Sequence, residues 1–380
     1  MDIAKSYDAV VVGLGAMGSA TFYHLAQRGL KVLGLDRFHS PHEHGSSHGE
    51  TRLTRLAYFE HSDYVPLIRE AHRQWRGLES ITGKKVFYQN GLHLFSHPES
   101  EIYQGVMDSA RQYGLELERS DQNPGPTLFS PDSLSCLTEP TGGYLLSQQA
   151  IAQFLSLGKA HGGETRMDQQ CLGFTESEQG VVVVTDSGAK VNCKNLVLTC
   201  GAWLPQMAND LNLPPCSPLR SLTIHRVPLF WFPVNDKSGW QQASCFAFDL
   251  EDGFFYGFPS LDGKTIKVGL HQPAGELDDP LARTDSIGEE ERRQMKSFVE
   301  KYLRGVAASE ERSKVCLYTM SSDEHFIVDR WPGRSGVFFA GGFSGHGFKF
   351  CPAIGKIMAD WVTQGGTDLP VSFLGLQRFS

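Results

Sequence analysis

No stretch of this chain stays apolar long enough to cross a bilayer; the best candidate, near Ala9, is cut by glycines within a few residues. No C-x-x-C pair occurs among its eight scattered cysteines (Cys136, Cys171, Cys193, Cys200, Cys216, Cys245, Cys316 and Cys351). That argues against a disulfide scaffold and for a reduced, cytoplasmic chain. There is no basic excess either. The 35 Lys and Arg residues face 43 Asp and Glu, a net charge of −8, which speaks against a nucleic-acid partner. The N-terminal residues around Asp2 lack the basic and apolar regions of a secretory signal. The final Arg-Phe-Ser is not a peroxisomal address. Repeats and low-complexity segments are also missing.

What is present is an ordinary globular composition, 40% hydrophobic and 21% charged, over 380 residues. That length predicts two domains rather than one. The densest information lies in Tyr7 to Asp36. Ala9 to Val12 reads as a buried strand, and Gly13, Gly15 and Gly18 follow in G-x-G-x-x-G spacing, with Ala16 and Met17 opening a helix. Gly29 stops that helix, Lys31 to Leu35 forms a second strand, and Asp36 closes it. Gly13 permits a tight turn, Gly15 a close approach to a pyrophosphate, and Gly18 close helix–strand packing. The helix start offers free N–H groups to phosphate. Asp36, roughly twenty residues past the last glycine, is placed to accept from a ribose. The motif specifies a dinucleotide without choosing between FAD and NAD; an acid at the ribose disfavours NADP.

Beyond Arg37 a loop rich in His, Gly and Ser, with Ser46 and Ser47, is suited to wrapping a cofactor or to facing solvent. His42, His44 and His48 match no standard metal spacing, so no metal is expected. Arg52 and Arg55, three apart, share a face if they lie on a helical turn, and would then offer two cations to an anion. Residues 64 to 81 show helical periodicity, with Val65, Ile68, Ala71, Trp75, Leu78 and Ile81 on the apolar face. Strands are expected around Gly91, a surface helix over 99–113, a long connection over 120–140, and a helix over 148–161. A meander follows over 180–192, and a buried strand over 196–199 runs into Gly201-Ala202-Trp203. From Leu219 alternating aromatics predict antiparallel strands over 220–232, 253–259 and 265–271, the last two joined at Asp262-Gly263. A charged helix covers 288–304. Near Val315 the chain is expected to rejoin the first domain, and a long helix is expected over 345–362.

Several residues stand out chemically. In Thr265 to His271, Lys267, Gly269 and His271 point to one face, which reads equally as a site floor or a solvent face. Phe254, Tyr256 and Phe258 form an aromatic wall, suited to a ligand or to plain core. Cys316 and Tyr318 share one side of a strand. Phe343-Ser344-Gly345-His346-Gly347-Phe348-Lys349 sets two titratable groups among glycines at a helix start, a place for negative charge.

Three segments, GSSHGETR, CLYT with DEHFIVD, and GFSGHGFKF, together resemble the monomeric sarcosine oxidase and N-methyltryptophan oxidase family from about Tyr7 to the C-terminus. The resemblance implies an α/β chain with an α+β second domain: a Rossmann-like FAD-binding domain (1–84, 142–218 and 312–380) and a smaller antiparallel-sheet catalytic domain (85–141 and 219–311). It implies FAD attached covalently through Cys316. Gly13, Gly15, Ala16, Met17, Gly18, Asp36, Arg37, Ser46, Ser47, Thr51, Arg52, Gly201, Trp203, Phe343, Gly345, His346, Gly347, Phe348 and Lys349 would hold the cofactor. Arg55 and Lys349, with Tyr256 and Tyr318, would bind a substrate carboxylate and its neighbours. Lys267, beside the flavin, would serve oxygen reduction, with Arg52, His48, Tyr256 and His271 completing the catalytic set. The implied activity is oxidation of a secondary amine, an N-methyl or cyclic amino acid, with O2 reduced to H2O2 by a cytoplasmic monomer. The alternatives are a deglycating fructosyl-amino-acid oxidase and, on the glycine motif alone, an NAD-dependent dehydrogenase.

Overall fold

A computed structural model describes residues 6–120, 124–214, 216–235 and 237–379. Asp2, Ser380 and part of the connection expected over 120–140 lie outside the described residues. The first strand, Ser6–Val12, is parallel to Val32–Leu35 on one side and to Lys190–Leu198 on the other. Between the first two runs the helix Ala16–Gln27. These strands belong to an eight-stranded sheet that also takes in Val337–Gly341 and the antiparallel pair Cys171–Ser177 and Gly180–Thr185. The strands expected over 190–192 and 196–199 are one continuous strand. Its first half pairs with the meander and its second half enters the parallel core, so a single strand serves both neighbours.

A nine-stranded sheet forms the second large unit; near one end of it, Thr223–Pro233 pairs with Thr265–Leu270 on one side and Arg312–Met320 on the other. It is antiparallel except where Cys245–Leu250 runs parallel to Leu92–Ser96. Two expectations are corrected here, and one strand was not foreseen. The connection over 120–140 contains a strand, Ser135–Glu139, paired with Leu92–Ser96. Cys245–Leu250 is a strand without the polar alternation that would have announced it, because four of its six residues are buried. The return to the first sheet comes after Met320, not at Val315: Arg312–Met320 is hydrogen-bonded along the whole of Thr223–Pro233.

The helix expected over 345–362 begins only at Cys351, preceded by a 3-10 turn, Phe348–Phe350. Positive φ at Ser344 (45°) and Gly345 (80°) prevents helix there, and Pro352 sits in the first turn, where a missing N–H costs nothing. Helix Cys351–Gln364 lies directly on Ala16–Gln27. A Cβ on Gly355 would come within 2.6 Å of the Ala20 carbonyl carbon, so glycine sets the close approach. Ile354 and Ile357 are fully buried in this seam, each worth about 1.5–3 kcal/mol relative to exposure. The turn Phe348–Phe350, which carries Lys349, leads directly into helix Cys351–Gln364. Helix Tyr64–Thr82 restrains that turn, Trp75 Nε1 donating to Lys349 O at 3.0 Å.

Candidate active site

Two cavities lie between the sheets. The larger, about 210 Å³, runs from the glycine loop past Asp36, Arg37, Ser46 and Ser47 to Gly201, Trp203, Phe343 and Gly347. The smaller, about 80 Å³, is lined by Arg55, Phe59, Glu60, Phe254, Tyr256, His271, Cys316, His346 and Lys349. Arg52, Tyr318, Gly345 and Phe348 line both, so the two spaces meet there.

The larger cavity is shaped for a dinucleotide. Gly15 has only the Ser47 hydroxyl near its absent Cβ, leaving the helix start open, and Ala16 N reaches Ser47 Oγ at 3.4 Å. Gly18 does not line the space; it packs beneath it, where a Cβ would collide with Gly13 O. Asp36 already accepts from Leu14 N at 2.6 Å and Phe38 N at 2.8 Å, yet a carboxylate has further acceptor sites. Trp203 Nε1, Thr319 Oγ1 and Gln169 Oε1 line this space, buried and without hydrogen-bond partners. Buried polar atoms left open in this way await a polar ligand. Histidines 42 and 44 pack against Phe38 at the rim.

Cys316 lines the smaller cavity next to Arg52. Its Sγ is 3.4 Å from Ser46 O and 3.5 Å from Arg52 Nη2. Arg52 is itself fixed by Thr51 O and Ser46 O. The helical turn supposed for Arg52 and Arg55 is instead a strand, Thr51–Thr54, paired with Gly143–Leu146. Arg55 follows the strand's end, and both cations still reach the smaller cavity. Gly345 leaves room for the Tyr318 ring, which a Cβ would meet at 2.3 Å; Gly269 does the same for Tyr256. Tyr318 OH is 3.0 Å from His271 Nδ1. Burial lowers His271 to about 4, so its ring is neutral at pH 7.

In the smaller cavity, Arg55 donates from Nη2 to both carboxylate oxygens of Glu60 at 2.9 Å and lies over the rings of Tyr58 and Phe59. Lys349 Nζ donates to His346 O at 3.0 Å and to Tyr58 OH at 3.3 Å. Burial, then Arg55, lowers Lys349 to about 7. Burial alone would raise Glu60, but Arg55, His346 and Lys349 bring it down to about 2. Burial lowers His346 to about 3, and its nitrogens meet Tyr58 OH and Glu324 O, so it lines the smaller cavity as a neutral ring. Glu139, buried, accepts from Leu56 N and Ala57 N and so clamps the chain beside Arg55.

Lys267 and His48 line neither cavity. Lys267 Nζ is buried behind Arg52, donating to Gly49 O, Thr51 O and Thr51 Oγ1. Burial and then Arg52 push it well below its ordinary pKa. The lysine is only 4% exposed, which excludes the solvent face, and it is packed behind the cavities rather than forming their floor. His48 accepts from Arg283 Nη1 at 3.0 Å, and burial with Arg52 lowers it to about 2. Glu60, Tyr58, Glu139 and Arg283 were not singled out from sequence. Glu60, five residues past Arg55, carried a signal only as a nearby opposite charge.

Residues 8–361 match the family described as FAD dependent oxidoreductase. This chain belongs to that family. Its full-length relatives include the monomeric sarcosine oxidase of Arthrobacter sp. (strain TE1826), 33% identical over 387 residues, covering 100% of this chain and 98% of the relative. The N-methyl-L-tryptophan oxidase of Yersinia pestis (strain Pestoides F) is 32% identical over 381 residues, covering 98% and 99%. In solved structures the same fold occurs in a Tyr258Phe mutant of NikD, an amino acid oxidase, with TM-score 0.87 at 22% identity over 98% of this chain and 97% of that one. The L-proline dehydrogenase of P. horikoshii shares it at TM-score 0.84, 19% identity and 99% and 98% coverage. The resemblance to the sarcosine and N-methyltryptophan oxidases thus extends over the whole family member, an FAD-dependent amine and amino acid oxidase; the NAD-dependent alternative is not favoured. Among the described residues no helix is long and apolar enough to cross a membrane.

Proposed function

We propose that this oxidase acts on a small secondary amino acid of the sarcosine, N-methyltryptophan or pipecolate type. The larger cavity holds FAD and the smaller one holds substrate. The observation that carries the reading is the meeting of the two cavities at Arg52, Tyr318, Gly345 and Phe348, with Cys316 beside Arg52 and with Arg55 and Lys349 lining the substrate space. Bound there, FAD would take a hydride equivalent from the substrate carbon, leaving an imine for water to hydrolyse, and pass the electrons to O2 as H2O2.

The chain's own residues position the reaction. Arg55 and Lys349 grip the substrate carboxylate, and charge-assisted hydrogen bonds fix the amine's place. Arg52, Arg55 and Lys349 together disfavour a substrate ammonium, so the amine is held neutral with its lone pair free. His271, neutral, and the Tyr256 and Tyr318 rings shape the pocket without adding charge. Lys267, held by three oxygens, offers positive charge as oxygen is reduced. Cys316 tethers FAD by a thioether; its position between Ser46 and Tyr318 supports this. The discontinuous domain division follows the two large sheets, with Arg312–Met320 counted in the catalytic sheet. Eight free cysteines support a reducing, cytoplasmic setting, and the relative's name supports a monomer.

The test is peroxide release under air across sarcosine, N-methyl-L-tryptophan, pipecolate and fructosyl-glycine. Peroxide from one of the first three supports the proposal. Release only from the fructosyl compound, or from none, overturns it.

A further inference from the structure

A row of side chains crosses the nine-stranded sheet behind the site. In register, Lys267 stands opposite Trp231, and Trp231 opposite Arg312, on three adjacent strands. Glu50 reaches this row from the loop before Thr51–Thr54. Its Oε2 accepts from Trp231 Nε1 at 3.0 Å and its Oε1 from Arg312 Nη2 at 2.5 Å. The Arg312 guanidinium also lies 4.0 Å from the centre of the Trp231 ring.

The main chain here is left-handed twice in succession, with φ of 84° at Gly49 and 68° at Glu50. Glycine tolerates this freely. A glutamate does not, because its Cβ crowds the following carbonyl, so the surroundings must hold it there. Ser147 does so from one side, donating from N and Oγ to Glu50 O at 2.8 and 3.1 Å. Trp231 and Arg312 do so from the other. The consequence appears on either side of Glu50: Gly49 O and Thr51 O both turn onto Lys267 Nζ, at 2.6 and 2.8 Å.

We propose that Glu50 is a positioning residue for the oxygen step. By gripping Trp231 and Arg312 it imposes the turn that aims two carbonyls at Lys267. This rests on the reading of Lys267 given above. The charges acting on Lys267 divide cleanly. Burial, Arg52 and Arg312 favour the neutral amine; Glu50 favours the cation. His48, close by, is neutral. Glu50 is the carboxylate of that set.

The test uses full-length, FAD-loaded protein. Glu50→Gln keeps an acceptor for Trp231 and removes the charge. Lysine-labelled NMR follows the Lys267 titration directly, the signal being assigned by its loss in Lys267→Met. In Glu50→Gln the Lys267 titration is expected to move to lower pH. Reoxidation by O2 slows about ten-fold in the pH range where the lysine has then lost its proton, while anaerobic reduction by substrate is unchanged. Glu50→Asp, which keeps the charge, recovers most of the rate. An unchanged Lys267 titration, or equal slowing of both half-reactions, overturns the proposal. Lys267→Met separates two failures. If that variant reoxidises as fast as the parent, the reading of Lys267 falls and this one with it. If it is slow while Glu50→Gln is not, the role of Glu50 alone falls.

Discussion

Both carboxylate oxygens of Glu60 lie 2.9 Å from Arg55 Nη2. The cation proposed to receive the substrate's carboxylate is therefore already paired with a carboxylate of the chain, in a setting where each side chain is at most 15% exposed. An incoming acid must compete with Glu60. Glu60→Gln keeps the shape and removes the competitor, so a simple carboxylate such as acetate should bind about ten-fold more tightly, about 1.4 kcal/mol. Flavin-absorbance titration measures this. Weaker or unchanged binding would show that Glu60 does not oppose the ligand.

Lys349 predicts a pH limb. Its pKa of about 7 means the ammonium is present below neutrality and lost as pH rises. Acetate, which stays ionised throughout, should bind progressively less well above pH 7. Lys349→Met should abolish the limb and weaken binding at pH 6 by about 1.5–3 kcal/mol, the worth of a charged hydrogen bond. Since Glu60 favours the Lys349 cation, the limb should move to lower pH in Glu60→Gln.

Cys316 makes a plain chemical prediction. Acid precipitation should leave the yellow colour on the parent chain and release it from Cys316→Ser. Colour washed from the parent would reject the thioether. The serine variant should still fold, since the thiol contributes two weak contacts to Ser46 and Arg52.

Acid should unfold this protein early. Burial holds His24, His72, His93, His271 and His346 between about 3 and 4, and His48 at about 2. The unfolded chain takes up these protons near pH 6.5 and the folded chain does not. Stability is thus full above that pH and is lost as pH falls from there toward the folded values. His72, 3% exposed, alone accounts for roughly 2 kcal/mol between pH 7 and 5. Urea denaturation at the two pH values should show the drop, smaller by about that amount in His72→Gln.

The residues alone determined the parts that depend on neighbours in the chain. The glycine loop and its flanking strands and helix are local patterns, and each occurs where periodicity located it. Tertiary structure decided everything that depends on burial and on pairing between distant segments. Arg52 lies on a strand because Gly143–Leu146 offers a ladder. Cys316 belongs to the catalytic sheet because Thr223–Pro233 binds it along its length. Lys349 titrates near neutrality because helix packing removes it from water and sets it beside Arg55. Charge and hydrogen bonding act through space, and a chain read in order carries no distances between residues hundreds of positions apart.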